Sequence, residues 1–204
     1  MRPLFVFDMD DVLYDYDWRV RMSGLTALTG LELGELRRRW WHDDGEWAAE
    51  AGRFADGAAY HAAFTAAIGA PVTIEQWVAN RRSAMTPWPE SVAAVERAAE
   101  LGDVALLTNN GPLAEEHLAE LAPEIAPLFG DDLHTSSFYG ARKPDTAVFA
   151  ELLRRHDADP ADVFFADDLP QNVAGAEAVG ITAHRFEHAA GLRDAIERFA
   201  ADRG

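Results

Sequence analysis

The 204-residue chain contains no cysteine, which excludes a disulfide framework, a thiolate nucleophile and a Cys-ligated zinc or iron–sulfur centre. Any chemistry falls to oxygen and nitrogen groups. Cations are scarce as well: 18 Lys and Arg stand against 35 Asp and Glu, a net charge of −17 that repels a nucleic-acid backbone and argues against nucleic acid as a partner. Long apolar runs are also missing. The apolar segment Pro3 to Phe7 is too short for a signal-peptide core or a membrane span, so no membrane partner is expected and the protein reads as soluble and cytoplasmic. Lysine occurs once, at Lys143, beside seventeen arginines. Against that bias a single lysine is either chance survival or a position that needs a compact, flexible ammonium.

At 49% hydrophobic the chain can bury an ordinary core, which excludes intrinsic disorder. Four short apolar runs rich in β-formers read as strands: Leu4 to Phe7, Val104 to Leu107, Val163 to Phe165 and, more weakly, Ile181 to Phe186. A fifth, near Leu133 to Phe138, is faintly marked. The first three end in the polar clusters DMDD, TNNG and ADDLPQN, and helical patterns follow the later ones at Leu113 to Leu121, Val173 to Val179 and Leu192 to Phe199. Strands alternating with helices predict an α/β fold, a Rossmann-like parallel sheet covered by helices on both faces. From about Tyr14 to about Trp88 there is no strand signature, and helical periodicity covers Leu33 to Trp41, Ala58 to Ile68 and Ile74 to Met85. The expected organisation is a core of residues 1–13 and 89–204 interrupted by a small helical insertion, residues 14–88. Glu90 and Ser91 then open a helix that runs to Leu101 and stops at Gly102.

In an open parallel sheet, ligands sit outside the carboxyl ends of the strands. If the strands are neighbours, that rule gathers Asp8, Asp10, Asp11, Thr108, Asn109, Asn110, Asp167 and Asp168. Asp8 and Asp10 lie two apart at a strand end and point to the same side, where they repel unless a cation lies between them or one keeps its proton. With Asp167 and Asp168 they make an oxygen-ligand set suited to magnesium and unsuited to zinc. Each piece alone has a plainer reading. An Asp at a strand end caps a helix or forms an Asx turn, Thr108 caps the helix opening at Pro112, and Lys143 is a solvated residue before a helix from Pro144 to His156. Acid clusters, a hydroxyl and the one lysine at successive loop positions together point to a site.

The segments FVFDMDDVLYD, LLTNNG, GARKPDTAVF and VFFADDLPQNVAGAEAVGI resemble, in this order, the four motifs of the haloacid dehalogenase-like hydrolase superfamily. They span nearly the whole chain outside the insertion. The resemblance implies phosphoryl transfer through a covalent intermediate, with Mg2+ as cofactor. Asp8 matches the nucleophile. Asp10 matches the acid/base residue, whose backbone carbonyl also meets the metal. Met9, Asp10, Thr108, Asn109 and Lys143 match the phosphate-holding groups, Lys143 offsetting negative charge on nucleophile and phosphate. Asp8, Asp10, Asp167 and Asp168 match the metal set, with Asp168 as the direct acid and Asp167 assisting through water, while Asn172 orients the loop.

The resemblance further implies that the insertion is the mobile cap of the helical-cap phosphatase branch, excluding water from the site. Of Trp18, Trp40, Trp41, Trp47 and Trp77, most are expected to pack the cap's small core. Arg37 to Arg39 and Arg81 with Arg82 are candidates to help a phosphate ester approach so acidic a protein, although a solvated helical face is the first reading for each. One departure stands out: Asp11 occupies the place where the family usually has Gly. The function expected from all this is a Mg-dependent phosphatase acting on a small-molecule phosphate ester. The alternatives are a phosphosugar mutase, a haloacid dehalogenase, against which Asp10 argues, and a non-catalytic member that binds a metabolite or protein.

Overall fold

Apolar at every position, Leu4–Phe7 has no face to turn to water, and it forms the fully buried central strand, β1. The structure, a computed structural model, describes residues 2–203. After β1 come β2 (Tyr14–Tyr16) and five helices: α1 (Trp18–Thr29), α2 (Leu33–Trp40), α3 (Glu46–Glu50), α4 (Gly57–Ile68) and α5 (Ile74–Ser83). There follow β3 (Met85–Pro87), α6 (Pro89–Leu101), β4 (Asp103–Thr108) and the short helices α7 (Pro112–Glu116), α8 (Leu118–Leu121) and α9 (Ala126–Phe129). The chain closes with β5 (Leu133–Thr135), α10 (Ser136–Tyr139), α11 (Thr146–His156), β6 (Val163–Asp167), α12 (Pro170–Glu177), β7 (Thr182–Arg185) and α13 (Ala189–Ala201). Among the described residues no helix is long and apolar enough to cross a membrane.

The five-stranded sheet has the order β5-β4-β1-β6-β7, and every pairing in it is parallel. This is the expected Rossmann-like α/β architecture. Alternation along β1 divides the core in two. Phe5 and Phe7 join Val95 of α6 and Phe199 of α13 on one face, with Phe5 and Phe199 meeting edge-on at 5.5 Å. Leu4 and Val6 join Val148, Phe149 and Leu152 of α11 on the other, where Phe149 meets Phe165 of β6 at 5.2 Å. Burying such side chains contributes about 1.5–3 kcal/mol each. Met22, Leu25, Trp40, Tyr60, Phe64 and Trp77 from the stretch between β2 and β3 belong to the first of these clusters.

Several boundaries differ from the sequence reading, each for a local reason. The stretch from Tyr14 to Trp88 is not strand-free: β2 and β3 pair antiparallel, Tyr14 with Pro87 and Tyr16 with Met85. Three residues are too few to show alternation, and prolines mask the strand. Helix α5 therefore stops at Ser83, short of Met85. Helices α1 and α3 carry no clear apolar period because a buried Arg21 and a buried Glu46 interrupt it. Helix α11 starts at Thr146, not Pro144, since the Asp145 side chain caps it by accepting from Ala147 N at 2.9 Å. The pattern Leu113 to Leu121 breaks at His117, and the strand at Leu133 gives way to a helical turn at Ser136.

The tryptophans divide by burial. Trp40 and Trp77 are buried around Tyr60, with ring centroids 5.3 and 5.9 Å from it, and Trp18 meets Trp41 edge-on at 5.4 Å. Trp47 is exposed, with the guanidinium of Arg142 5.8 Å from its ring.

Candidate active site

Because β1, β4 and β6 run parallel and in register, Phe7 pairing with Leu106 and with Ala166, their carboxyl ends open on one cleft. Asp8, Asp10, Asp11, Thr108, Asn109, Arg142, Lys143, Asp168, Leu169 and Asn172 line a cavity there of about 220 Å³. All the sequence-predicted positions except Met9, Asn110 and Asp167 reach this wall. Met9 is fully buried behind it but turns its backbone N–H to Asp8 Oδ1 at 2.8 Å.

Lys143 is the pivot. Its side chain is 1% exposed, so the reading of a solvated residue is overturned. Nζ lies 2.9 Å from Asp8 Oδ1 and 2.7 Å from Asp167 Oδ2, with the Phe165 ring 5.5 Å away. Burial alone would lower the pKa of such an amine, but Asp8 and Asp167 outweigh it and hold the pKa above the ordinary value. The Asn109 side chain fixes the backbone of Lys143 from both sides, donating to its carbonyl and accepting from its N–H, each at 2.9 Å.

The two acids of the fourth loop have different surroundings. Asp167 is fully buried, and its carboxylate is saturated by Lys143, by Asn172 Nδ2 at 3.0 Å to each oxygen and by Leu169 N at 2.9 Å. Among the described residues no side-chain donor reaches the Asp168 carboxylate. Partial burial, with the charges of Asp167 and Asp11, pushes its pKa up to about 6. Asp8 is raised well above the usual carboxylate range, first by burial and against the pull of Lys143. Its Oδ1 takes both Met9 N and Lys143, while Oδ2 receives no hydrogen bond from the described residues. Thr108 is buried, and its hydroxyl oxygen accepts from Asn110 Nδ2 at 3.0 Å, which leaves the hydroxyl proton to be donated.

Asp10 lines the same cleft as Asp8, but its carboxylate is engaged elsewhere. Oxygens of Asp8, Asp167 and Asp168 lie within 4.8 Å of one another, and no Asp10 side-chain oxygen belongs to that group. Instead Asp10 Oδ2 accepts from Arg81 at 2.5 Å. Arg81 is 2% exposed, which overturns its reading as part of a solvated face. Arg82 pairs with Glu124, and Arg38 and Arg39 pair with Glu35, on more open surface.

The description haloacid dehalogenase-like hydrolase matches residues 3–180, the segment that carries this entire cleft. The chain belongs to that family. It is an enzyme of the hydrolase type. Among curated proteins it is 26% identical over 209 aligned residues to Phosphatase MT3486 of Mycobacterium tuberculosis, covering 95% of this chain and 91% of the relative. Among solved structures it resembles a HAD family enzyme of Bacteroides thetaiotaomicron complexed with magnesium and inorganic phosphate, with a TM-score of 0.72, 17% identity and 92% and 95% of the two chains covered. A 2-haloacid dehalogenase from Pseudomonas syringae shares the fold at a TM-score of 0.68 and 21% identity over 91% and 86%.

In this haloacid dehalogenase-like hydrolase the departure at Asp11 has a backbone consequence. Asp11 sits at φ +57°, the left-handed region that glycine occupies freely, and Asp is among the side chains that tolerate it. Its own carboxylate accepts from Tyr16 N at 3.3 Å. Asp11→Val, with a β-branched side chain there, is expected to lower stability by about 1–2 kcal/mol, while Asp11→Gly stays within about 1 kcal/mol of the parent. Urea unfolding midpoints at constant slope measure both.

Two residues at the cleft went unread in the sequence. Arg142 lines it and pairs with Glu50 Oε2 at 2.6 Å; only its place beside Lys143 could have marked it. Glu50 carries no sequence signal, because its burial, which raises its pKa to about 7, exists only once α3 packs on the turn at 136–142.

Proposed function

We propose that the protein is a magnesium-dependent phosphatase that hydrolyses a small phosphorylated metabolite through a phosphoryl group carried on Asp8. The observation that supports it is the state of the Asp8 carboxylate: Oδ1 is fixed by Lys143 and Met9 N, and Oδ2 is left free on a cleft shared with Thr108, Asn109 and Asp168. Oδ2 attacks phosphorus, and the bond to the ester oxygen breaks with its electron pair on that oxygen. Asp10 supplies the proton to the leaving oxygen. It then takes one from water as the water oxygen bonds to phosphorus and Asp8 is released. Lys143, the Thr108 hydroxyl and the Asn109 N–H hold the phosphoryl oxygens where charge develops.

The donor set fits magnesium. Asp8, Asp167 and Asp168 offer hard oxygens within 4.8 Å of one another, and a single ammonium leaves them with excess negative charge. Asp168, free of side-chain donors, and the Asp8 carboxylate would hold the ion with the Asp10 backbone carbonyl, while Asp167 acts through Lys143 and water. Bound there, magnesium supplies charge neutralisation for phosphate and nucleophile. Residues 14–88 serve as the cap over this cleft. The mycobacterial relative's name as a phosphatase accords with the reading, and the dehalogenase likeness supports the fold alone.

The test is release of phosphate from p-nitrophenyl phosphate and a panel of phosphorylated metabolites with magnesium and with EDTA. Metal-dependent release is expected. Absence of release across the panel overturns the reading; transfer to a second sugar without net hydrolysis replaces it by a phosphomutase, and halide release from a haloacid by a dehalogenase.

A further inference from the structure

Asp10 and Arg81 form a contact unlike the other ion pairs made by arginines of the helices between β2 and β3. Arg38, Arg39 and Arg82 meet their acids on open or half-open surface, where such pairs contribute about 0–1 kcal/mol. The Arg81 side chain is 3% exposed, and it comes from the last turn of α5, 71 residues away in sequence from Asp10. A guanidinium so buried is costly unless its charge is met. Among the described residues Asp10 is the one acid within ion-pair distance, its Oδ2 able to accept from Arg81 whether or not Oδ1 carries a proton, and the Tyr16 ring of β2 lies 4.0 Å from the guanidinium carbon on a further side.

The two oxygens of Asp10 are thereby made unequal. Oδ2 is taken by Arg81; Oδ1 is buried and has no hydrogen-bond partner. Of the two oxygens, Oδ1 is therefore the one whose lone pairs are not already committed to a protein donor. Arg81 cannot exchange its own proton near neutral pH, so its influence on chemistry runs through where it keeps Asp10.

We propose that Arg81 is the positioning residue of Asp10, anchoring Oδ2 from the insertion so that Oδ1 gives the leaving oxygen its proton. This rests on the phosphatase reading and on Asp10 as its acid. When the ester bond breaks, the proton on Oδ1 passes to the leaving oxygen, and Asp10 becomes a carboxylate still gripped by Arg81. In the second half-reaction, water returns a proton to Oδ1 as its oxygen bonds to phosphorus. Without the anchor the carboxyl group swings, and the geometry of both transfers is lost.

The experiment is kcat/KM, with magnesium, for a series of aryl phosphates from p-nitrophenyl to p-methoxyphenyl. The first leaving group departs without a proton and the last depends on one. Arg81→Met is expected to steepen the dependence on leaving-group basicity, so that the p-methoxyphenyl ester loses about tenfold more than the p-nitrophenyl ester, a part of the 10²–10⁴ typical of general-acid catalysis. Arg81→Lys, which keeps a cation near Asp10 and guards against a misfolded Met variant, should recover part of the slope. In an Asp10→Asn background, Arg81→Met should change the slope no further. An equal fall for every ester, an unchanged slope, or a further tenfold loss in the Asp10→Asn background overturns the proposal while the phosphatase reading stands. A wild-type protein inactive on the whole series overturns both.

Discussion

Asp8→Asn is expected to abolish turnover while leaving the fold as stable as before. The amide keeps the shape of the carboxylate and still accepts from Met9 N, but it removes the lone-pair charge that makes Oδ2 a nucleophile. Loss of a hydrolase nucleophile lowers turnover by about 10⁴-fold or more, since binding and charge stabilisation alone remain. Stability is the less obvious half. Removing one partner of a buried ion pair generally costs about 3–5 kcal/mol because a charge is stranded. Here Lys143 keeps Asp167 at 2.7 Å, and burial already disfavours the charged form of Asp8. The urea midpoint of Asp8→Asn should therefore match or exceed that of the parent, while magnesium-dependent ester hydrolysis vanishes. Near-normal turnover in the folded variant would remove Asp8 from the nucleophile's role.

That separation of stability from activity follows from a charge arrangement only partly legible in the sequence. The strand run Leu4–Phe7 and the polar clusters after it were readable, because a buried parallel strand is apolar throughout and its ligand groups begin where the apolar run stops. The order of Asp8, Thr108, Lys143 and Asp168 along the chain likewise announced a common cleft. The partition between Asp167 and Asp168 came from the family resemblance alone and was not readable from the residues themselves. Adjacent residues on a strand end point to opposite sides, and only the position of Asn172 and Lys143 decides which carboxylate is saturated. Nor was Arg81. On α5 it stands next to Arg82, and a pair of arginines at a helix end looks like dipole compensation until Asp10 is found beside one of them. The paired strands β2 and β3 escaped because their register is set by the crossing of two chain passages and not by an alternation either segment shows alone.

Lys143→Arg is expected to keep the charge and lose the activity. The ammonium occupies a site bounded by Asp8 Oδ1 at 2.9 Å, Asp167 Oδ2 at 2.7 Å and the Phe165 ring, with its backbone clamped by Asn109. A guanidinium is planar and bulkier, so it can satisfy Asp167 only by pushing against Asp8 or Phe165; overpacking of this kind costs about 1–3 kcal/mol of stability. The catalytic loss is larger. Displacing a fixed cation from the place where charge develops removes a contribution of about 10²–10³ in kcat, as for other oxyanion-binding groups. Lys143→Met should fail in the opposite sense, with two buried carboxylates left uncompensated and a stability loss of about 3–5 kcal/mol. Measured side by side, a folded but inactive Arg variant and a destabilised Met variant would show that the site needs the size of an ammonium as well as its charge. Such a requirement would account for the one lysine among seventeen arginines. Arg at position 143 with turnover near that of the parent would return Lys143 to a purely electrostatic role.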